Sequence, residues 1–298
     1  MRTVSALVRR NNKIFFRDKG MFFTSLITPL ILLTLYVTFL AKVYRDAFLS
    51  SIGENFVLDK ALVEGLVGGQ LVSSLLAVSC VTVAFCSNLL MVQDKAGGAY
   101  RDLSITPTKK STLSLAYFIS SASVTMIIAL TALAAGFIYL AVVGWYLSFL
   151  DVLLLIFDIL LLVLFGTALS SLINCNLKSN GQASAVGSIV SSGYGFLCGA
   201  YMPISNFPSA LQKVISFLPG TYGTSLLRNH ALSGVYSEMQ NQGFSPEVLE
   251  KIKDSTDCNL YLFDTPVSVW VMYLVLGGSL LLITAGYVLL CNKRKNKR

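Results

Sequence analysis

The chain has 298 residues, 54% of them hydrophobic and only 13% charged, with a mean hydropathy of +0.69 and a formal net charge of +8. That balance excludes a soluble protein and describes an all-α membrane protein forming a single transmembrane domain over residues 1–298. The 23 basic residues are scattered over several segments at membrane edges, which excludes nucleic-acid binding, and one His without a Cys/His cluster argues against a metal site.

In chain order, residues 1–19 place Val4, Leu7, Val8, Ile14 and Phe15 on one side and Arg2, Arg9, Lys13 and Arg17 largely on the other. This predicts an amphipathic elbow helix along a membrane surface, or simply a basic anchor for the first span. Six apolar runs are long enough to cross a bilayer: 21–41, 66–91, 113–143, 152–173, 181–202 and 267–290. The first is too long for the apolar core of a secretion signal. Pro29, after Thr28, predicts a kink or local unwinding in it. With the N-terminus inside, sixteen Lys and Arg fall on the inner side and seven on the outer, so both termini are expected in the cytoplasm. The basic end, residues 292–298, is expected to touch anionic lipid.

The outer loop 42–64 carries both charge signs and the apolar residues Phe48, Phe56 and Val57, without readable chemistry. The inner loop 96–112 reads AGGAYRDLSITPTKKST. Gly97 and Gly98 permit a sharp reversal, Tyr100–Ile105 make about one and a half helical turns, and Pro107 stops the helix. A solvated basic loop explains the charges but not this punctuation. The third run is rich in small and hydroxyl residues, and a tight turn over 144–150 leads to the fourth. There Asp158 stands among leucines, where a charge costs at least ~2.5 kcal/mol. It either lines a path or is bonded to a neighbouring span. In the fifth run Ala183, Gly187, Ser191, Gly195 and Gly199 recur every fourth residue beside a row at Ser184, Ser188 and Ser192, a seam for close helix packing, at a dimer interface or beside a polar conduit.

The stretch 199–222, GAYMPISNFPSALQKVISFLPGTY, is neither span nor ordinary loop. Asn206 and Pro208 suit a helix start, Leu211, Val214, Ile215 and Leu218 share a helix face, and roughly 16 Å of helix is half a bilayer's core. A second pattern from Tyr222 runs to Gly234, expected as its C-terminal cap. The pair predicts a re-entrant helical hairpin on the outer face, within an outer segment 203–266. There Ser245-Pro246-Glu247 starts a further amphipathic helix. The segment is either an external lid or partner surface or a decorative insertion. Its carboxylates, Glu238, Glu247, Glu250, Asp254, Asp257 and Asp264, are expected to form a solvated face without catalytic partners. Of the six Cys, only Cys198 and Cys258 lie where a disulfide is conceivable, and two free thiols are the simpler expectation.

The order Gly199, Pro203, Pro208, Pro219, Tyr222, then Leu227-Arg228, resembles the segment before the last span of six-helix ATP-binding-cassette export permeases. The Gly-Gly turn, short helix and Thr-Pro step of 96–112 resemble the coupling helix of the same family. The resemblance implies that Gly97, Gly98, Tyr100, Arg101, Asp102, Leu103, Ile105 and Pro107 form the contact with a separate ATPase, near which the elbow helix packs. The chain has no Gly-Lys dipeptide, hence no phosphate-binding loop, so ATP and Mg are expected on that partner and not as cofactors of this chain. Six spans make half of the usual twelve, which implies a second copy or paralogue, in a bacterial inner or plasma membrane. The cargo classes implied are drugs, antimicrobial peptides, lipids and glycans. A rival expectation is a six-helix secondary transporter or channel that uses Asp158 for proton coupling.

Overall fold

A computed structural model describes residues 2–52, 59–106, 108–262 and 265–296. Helix α1 (Arg2–Arg17) is followed by α2 (Lys19–Leu35), a π-helical turn (Tyr36–Leu40) and α3 (Ala41–Ile52). Then come α4 (Lys60–Ala96), α5 (Ala99–Ile105), α6 (Lys110–Val143), α7 (Phe149–Asn174) and α8 (Asn180–Leu197). A 3-10 turn (Ile204–Asn206), α9 (Ser209–Ser216), α10 (Pro219–Asn241) and α11 (Pro246–Ser255) lead to the antiparallel pair β1 (Leu260–Leu262) and β2 (Thr265–Val267), and α12 (Val269–Asn296) closes the chain. Among the described residues five helical segments are long and apolar enough to cross a membrane: Lys19–Asp46, Lys60–Ala96, Lys110–Val143, Phe149–Asn174 and Val269–Cys291. The fifth predicted span is shorter than its apolar run, since α8 ends at Leu197 and the chain turns before Met202.

The architecture is arranged around α4. Its apolar stretch is almost wholly enclosed, with α2, α6, α7, α8 and α10 packed along it. In lipid no hydrophobic force drives helices together, so contact depends on close fit. Glycines supply it: a Cβ at Gly166 of α7 would lie 2.9 Å from the Cys80 carbonyl oxygen, and one at Gly136 of α6 would lie 2.8 Å from a Val72 methyl. Hydroxyls and amides add bonds between spans, with Ser87 to Ser121 at 2.7 Å and the Asn88 amide donating to Ser171 at 2.7 Å and Ser170 at 3.0 Å.

Several local expectations need correction. Helix α2 runs through Pro29 unbroken, and the irregularity lies further on, in the π turn that begins at Tyr36, whose hydroxyl donates to the Val67 carbonyl at 2.5 Å. A tertiary bond to α4 thus marks the distortion rather than the missing proline N–H. Asn206 does not cap α9: it sits in the 3-10 turn, and α9 starts after Pro208 with no side-chain cap. Gly234 is not a helix end. Helix α10 continues to Asn241, and Gly234 is where it meets the α6–α7 turn, a Cβ there falling 1.8 Å from the Tyr146 carbonyl oxygen. The expected turn at 144–150 is present and starts α7 with a reciprocal cap: Ser148 donates its hydroxyl and backbone N–H to Asp151, and Asp151 N–H donates back to Ser148 Oγ. Helix α11 forms as expected after Ser245, burying Leu249 and Ile252 against α3 and α10. Of the loop residues, Phe48 is buried on α3, while Phe56 and Val57 lie outside the described residues.

Gly234→Val should lower the melting temperature of the detergent-purified protein sharply or abolish monodisperse purification, because a backbone oxygen cannot move aside; overpacking costs about 1–3 kcal/mol even where side chains give way. Gly277→Ala, where a Cβ meets nothing within 4 Å, should leave melting unchanged.

Candidate functional site

Three polar clusters lie along the bundle, one at the α5 end, one inside it, and one at the end that carries α11.

At the α5 end, Gly97 closes α4 by donating its N–H to the Gln93 carbonyl, and Gly98, at φ +85, reverses the chain into α5. That backbone region is open to glycine at no steric cost. Helix α5 is amphipathic in place. Tyr100 is half-buried and stacks on Tyr117 with ring centroids 6.4 Å apart, and Leu103 packs into the same apolar cluster. Arg101 and Asp102 face outward, and Ile105 is 76% exposed. Pro107 lies outside the described residues.

Behind α5, the Arg10 guanidinium of α1 grips the Asp94 carboxylate of α4 at 2.8 and 3.2 Å, and the Tyr117 hydroxyl of α6 donates to the same carboxylate at 2.5 Å. Helix α1 buries Phe15, as its apolar face predicts, but Arg10 turns inward from the basic side. Ser120 of α6 adds a bond to Asn12 at 2.6 Å. Lys95 donates to the carbonyls of Asn174 and Cys175, fastening the end of α4 to the end of α7. None of these ties was read from the sequence. An Asp and a Lys at the end of a span look like ordinary boundary charges, and only the fold brings Arg10 to them.

Within the bundle, Asp158 of α7 is enclosed. It is 2.6 Å from Nδ1 of His230 on α10 and accepts the Tyr273 hydroxyl of α12 at 2.5 Å. Asp158 thus ties α7 to α10 and α12. The spacing of the lone His at 230 gave no hint of the pairing.

On α8 the seam faces inward. Ala183 and Gly195 are buried and Gly187 and Ser191 half-buried, with the Tyr201 ring laid against Gly195. Ser184, Ser188 and Ser192, one residue on from the seam, are exposed.

At the other end, Gly199 has φ +72 and presents its carbonyl to Arg228 Nη2 at 2.6 Å. Arg228 is fully buried. Its Nη1 pairs with Asp257 at 2.8 Å, its Nη2 reaches Ser74 at 3.3 Å, and the Gln70 amide, turned so that its oxygen faces the guanidinium, accepts from Nε at 3.1 Å. Asp257, itself in the left-handed region at φ 53, also accepts the Ile204 N–H at 3.1 and 3.0 Å. Burial pushes its carboxyl up to about 6, against the opposing pull of Arg228 and the Ile204 N–H. The expectation that Asp257 belongs to a solvated acidic face is therefore wrong: the chain folds back after α11 and carries this carboxylate into the bundle. Glu247, Glu250 and Glu238 remain at or near the surface, and Asp264 lies outside the described residues. Cys198 and Cys258 are both buried free thiols. The prolines punctuate this region, with Pro203 before the 3-10 turn, Pro208 before α9 and Pro219 as the first residue of α10. Tyr222 is buried and donates its hydroxyl to the Ser216 carbonyl at 2.7 Å, closing the α9–α10 corner.

The family model described as ABC-2 type transporter matches residues 2–231. A search of curated proteins found no match.

Breaking the buried pair on one side only, with Asp257→Ala, should destabilise the protein by about 3–5 kcal/mol, because Arg228 is left as an uncompensated charge. The double variant Arg228→Met with Asp257→Leu should recover much of that loss. Thermal unfolding in detergent, read for the single and the double variant, checks both outcomes.

Proposed function

Since the chain belongs to the ABC-2 type transporter family, and is thus the membrane permease subunit of an ABC transporter, we propose that it works as the membrane half of an ATP-driven exporter. Its cargo is of the drug, antimicrobial-peptide, lipid or glycan class. ATP and Mg bind to a separate ATPase subunit, and a second copy or paralogue of the permease, set in lipid, completes the path across the cell membrane. The observation that carries the reading is the inner end of the bundle. An exposed apolar side chain, Ile105, stands on a short helix whose other face, Tyr100 and Leu103, is anchored to the spans. Arg10, Asp94, Tyr117 and Lys95 stiffen that anchorage. A motor that closes on ATP can then displace α5 and move α1, α4, α6 and the end of α7 with it. Arg101, Asp102 and Ile105 are its contact residues, whereas Tyr100 and Leu103 position the helix.

The sixth crossing is assigned to the segment that includes α8. Lys95 fixes the chain beside Asn174 and Cys175, and Arg228 ties Gly199 to Ser74. Ser74 and Lys95 are about 32 Å apart along α4 at 1.5 Å per residue, so the chain between Cys175 and Gly199 runs beside most of that helix. That distance supports a crossing that polar α8 residues hide from a hydropathy criterion. An even number of crossings, with the basic bias of the α5 end, supports both termini in the cytoplasm. The α9–α10 pair is assigned as re-entrant: α10 begins near Gly223, which meets Leu162 in the middle of α7, and runs past Gly234 at the α6–α7 turn, so it spans half the bundle and returns the chain to one face.

The rival reading is proton coupling through Asp158, whose carboxylate oxygens meet His230 and Tyr273.

Reconstituted with its ATPase in proteoliposomes, the permease should move cargo only with ATP. Uphill transport by the permease alone, driven by a proton gradient and lost in Asp158→Asn, would overturn the assignment. Ile105→Asp should weaken ATPase co-purification about tenfold or more, equivalent to about 1.4 kcal/mol, without changing the melting of the permease itself. Unchanged association would remove α5 from the contact.

A further inference from the structure

Between the first three membrane-crossing segments lies a groove that neither the family match nor the transport reading uses. It has a volume of about 400 Å³ and is walled by Leu33, Tyr36, Leu71, Leu75, Ala135 and Tyr139. Its floor is the place where Gly136 lets α6 close onto Val72 of α4. Its upper wall includes the first residue of the π turn, where the first segment departs from regular helix. We propose that this groove is a binding site for the acyl chain of a bilayer lipid, held as a structural ligand of the permease.

The lining and the depth identify the occupant. A water molecule needs two to four polar partners, and this lining is almost entirely apolar, with the Tyr36 hydroxyl already donated to Val67. An unfilled space would forfeit the dispersion contacts of its whole wall. Ala135 lies about 12 Å along α6 from Val143, below a turn marked by Trp145, an aromatic residue of the kind that favours the membrane interface. At that depth the surroundings are hydrocarbon: Leu30, Ile31, Phe39 and Ile138, on the same segments as the walls, are 49–71% exposed. A flexible methylene chain is the filler the bilayer supplies there. Its seat touches α2, α4 and α6 at once, so the lipid packs the first crossing segment against the enclosed α4. The inference stands on the membrane setting alone and survives whatever cargo or energy source the transporter proves to use.

The test uses the full chain in nanodiscs containing a phospholipid with a photoreactive diazirine midway along one acyl chain. After irradiation, label should concentrate on peptides carrying Leu71–Leu75 and Ala135–Tyr139, well above the lipid-facing control residues Leu281 and Leu282 of α12, which are 72% and 76% exposed. Ala135→Trp, which fills the groove, should cut that label at least about fivefold and leave the α12 label unchanged. Ala135→Ser, which leaves the groove open, should label as the parent does, separating blockage from misfolding. Label no denser than at α12, or unaffected by Ala135→Trp in a monodisperse sample, overturns the proposal. So does efficient cross-linking of Ala135→Cys chains to one another, because a second copy then fills the groove.

Discussion

The guanidinium of Arg228 is the point through which one end of this protein is held together. It presents five N–H donors in a rigid fork, has no acceptor, and cannot shed its charge. Buried in an apolar bundle, it has to be met on every side. The four groups that meet it come from three places: Gln70 and Ser74 on α4, Gly199 at the end of α8, and Asp257 beyond α11. The two from outside α4 are placed for that contact by a backbone device. Gly199 adopts a conformation that favours glycine, Asp257 adopts one that non-glycine residues rarely use, and Ile204 lends its N–H to the carboxylate. A buried ion pair gains little net stability over a well-packed apolar substitute. What it supplies is registry: helices that could otherwise slide along one another in lipid meet at a single height.

The opposite end uses the same chemistry with a different purpose. Arg10, Asp94 and Tyr117 join α1, α4 and α6, and Lys95 adds α7, but this cluster is only partly enclosed and lies directly behind the short helix α5. One cluster fixes α10 and the chain after α11 against α4, and the other stiffens the end of the bundle behind α5. Between them α4 passes through the whole bundle, enclosed by its neighbours, so the two ends are joined by one continuous rod.

The helical, membrane-embedded character was legible because apolar runs of bilayer length need no tertiary information. So was the Gly97-Gly98 reversal, since a left-handed turn feeding a short helix is a local requirement of backbone geometry. The pairings were not. His230 and Asp158 are 72 positions apart, and Arg10 and Asp94 are 84 apart. Nothing in the spacing of single charges says which will meet. Asp257 was misread for that reason: in sequence it belongs to an acidic stretch, and only the return of the chain after α11 buries it. The proline at 29 misled in the opposite sense, because a helix in lipid tolerates a missing N–H, whereas the hydroxyl of Tyr36 reaching another helix coincides with the break.

The enclosure of α4 bears on how the chain enters the membrane. This helix leaves the ribosome early, carrying Gln70, Ser73, Ser74, Ser79, Thr82, Ser87 and Asn88 on its surface, all buried in the finished protein. Some of those hydroxyls satisfy themselves on the preceding turn, as Ser79 and Thr82 do. Gln70, Ser74 and Asn88 take partners from α7 and α10, which are synthesised long afterwards. During biogenesis this crossing must therefore wait in the insertion machinery, or among its own early neighbours, until the later helices arrive to shelter it.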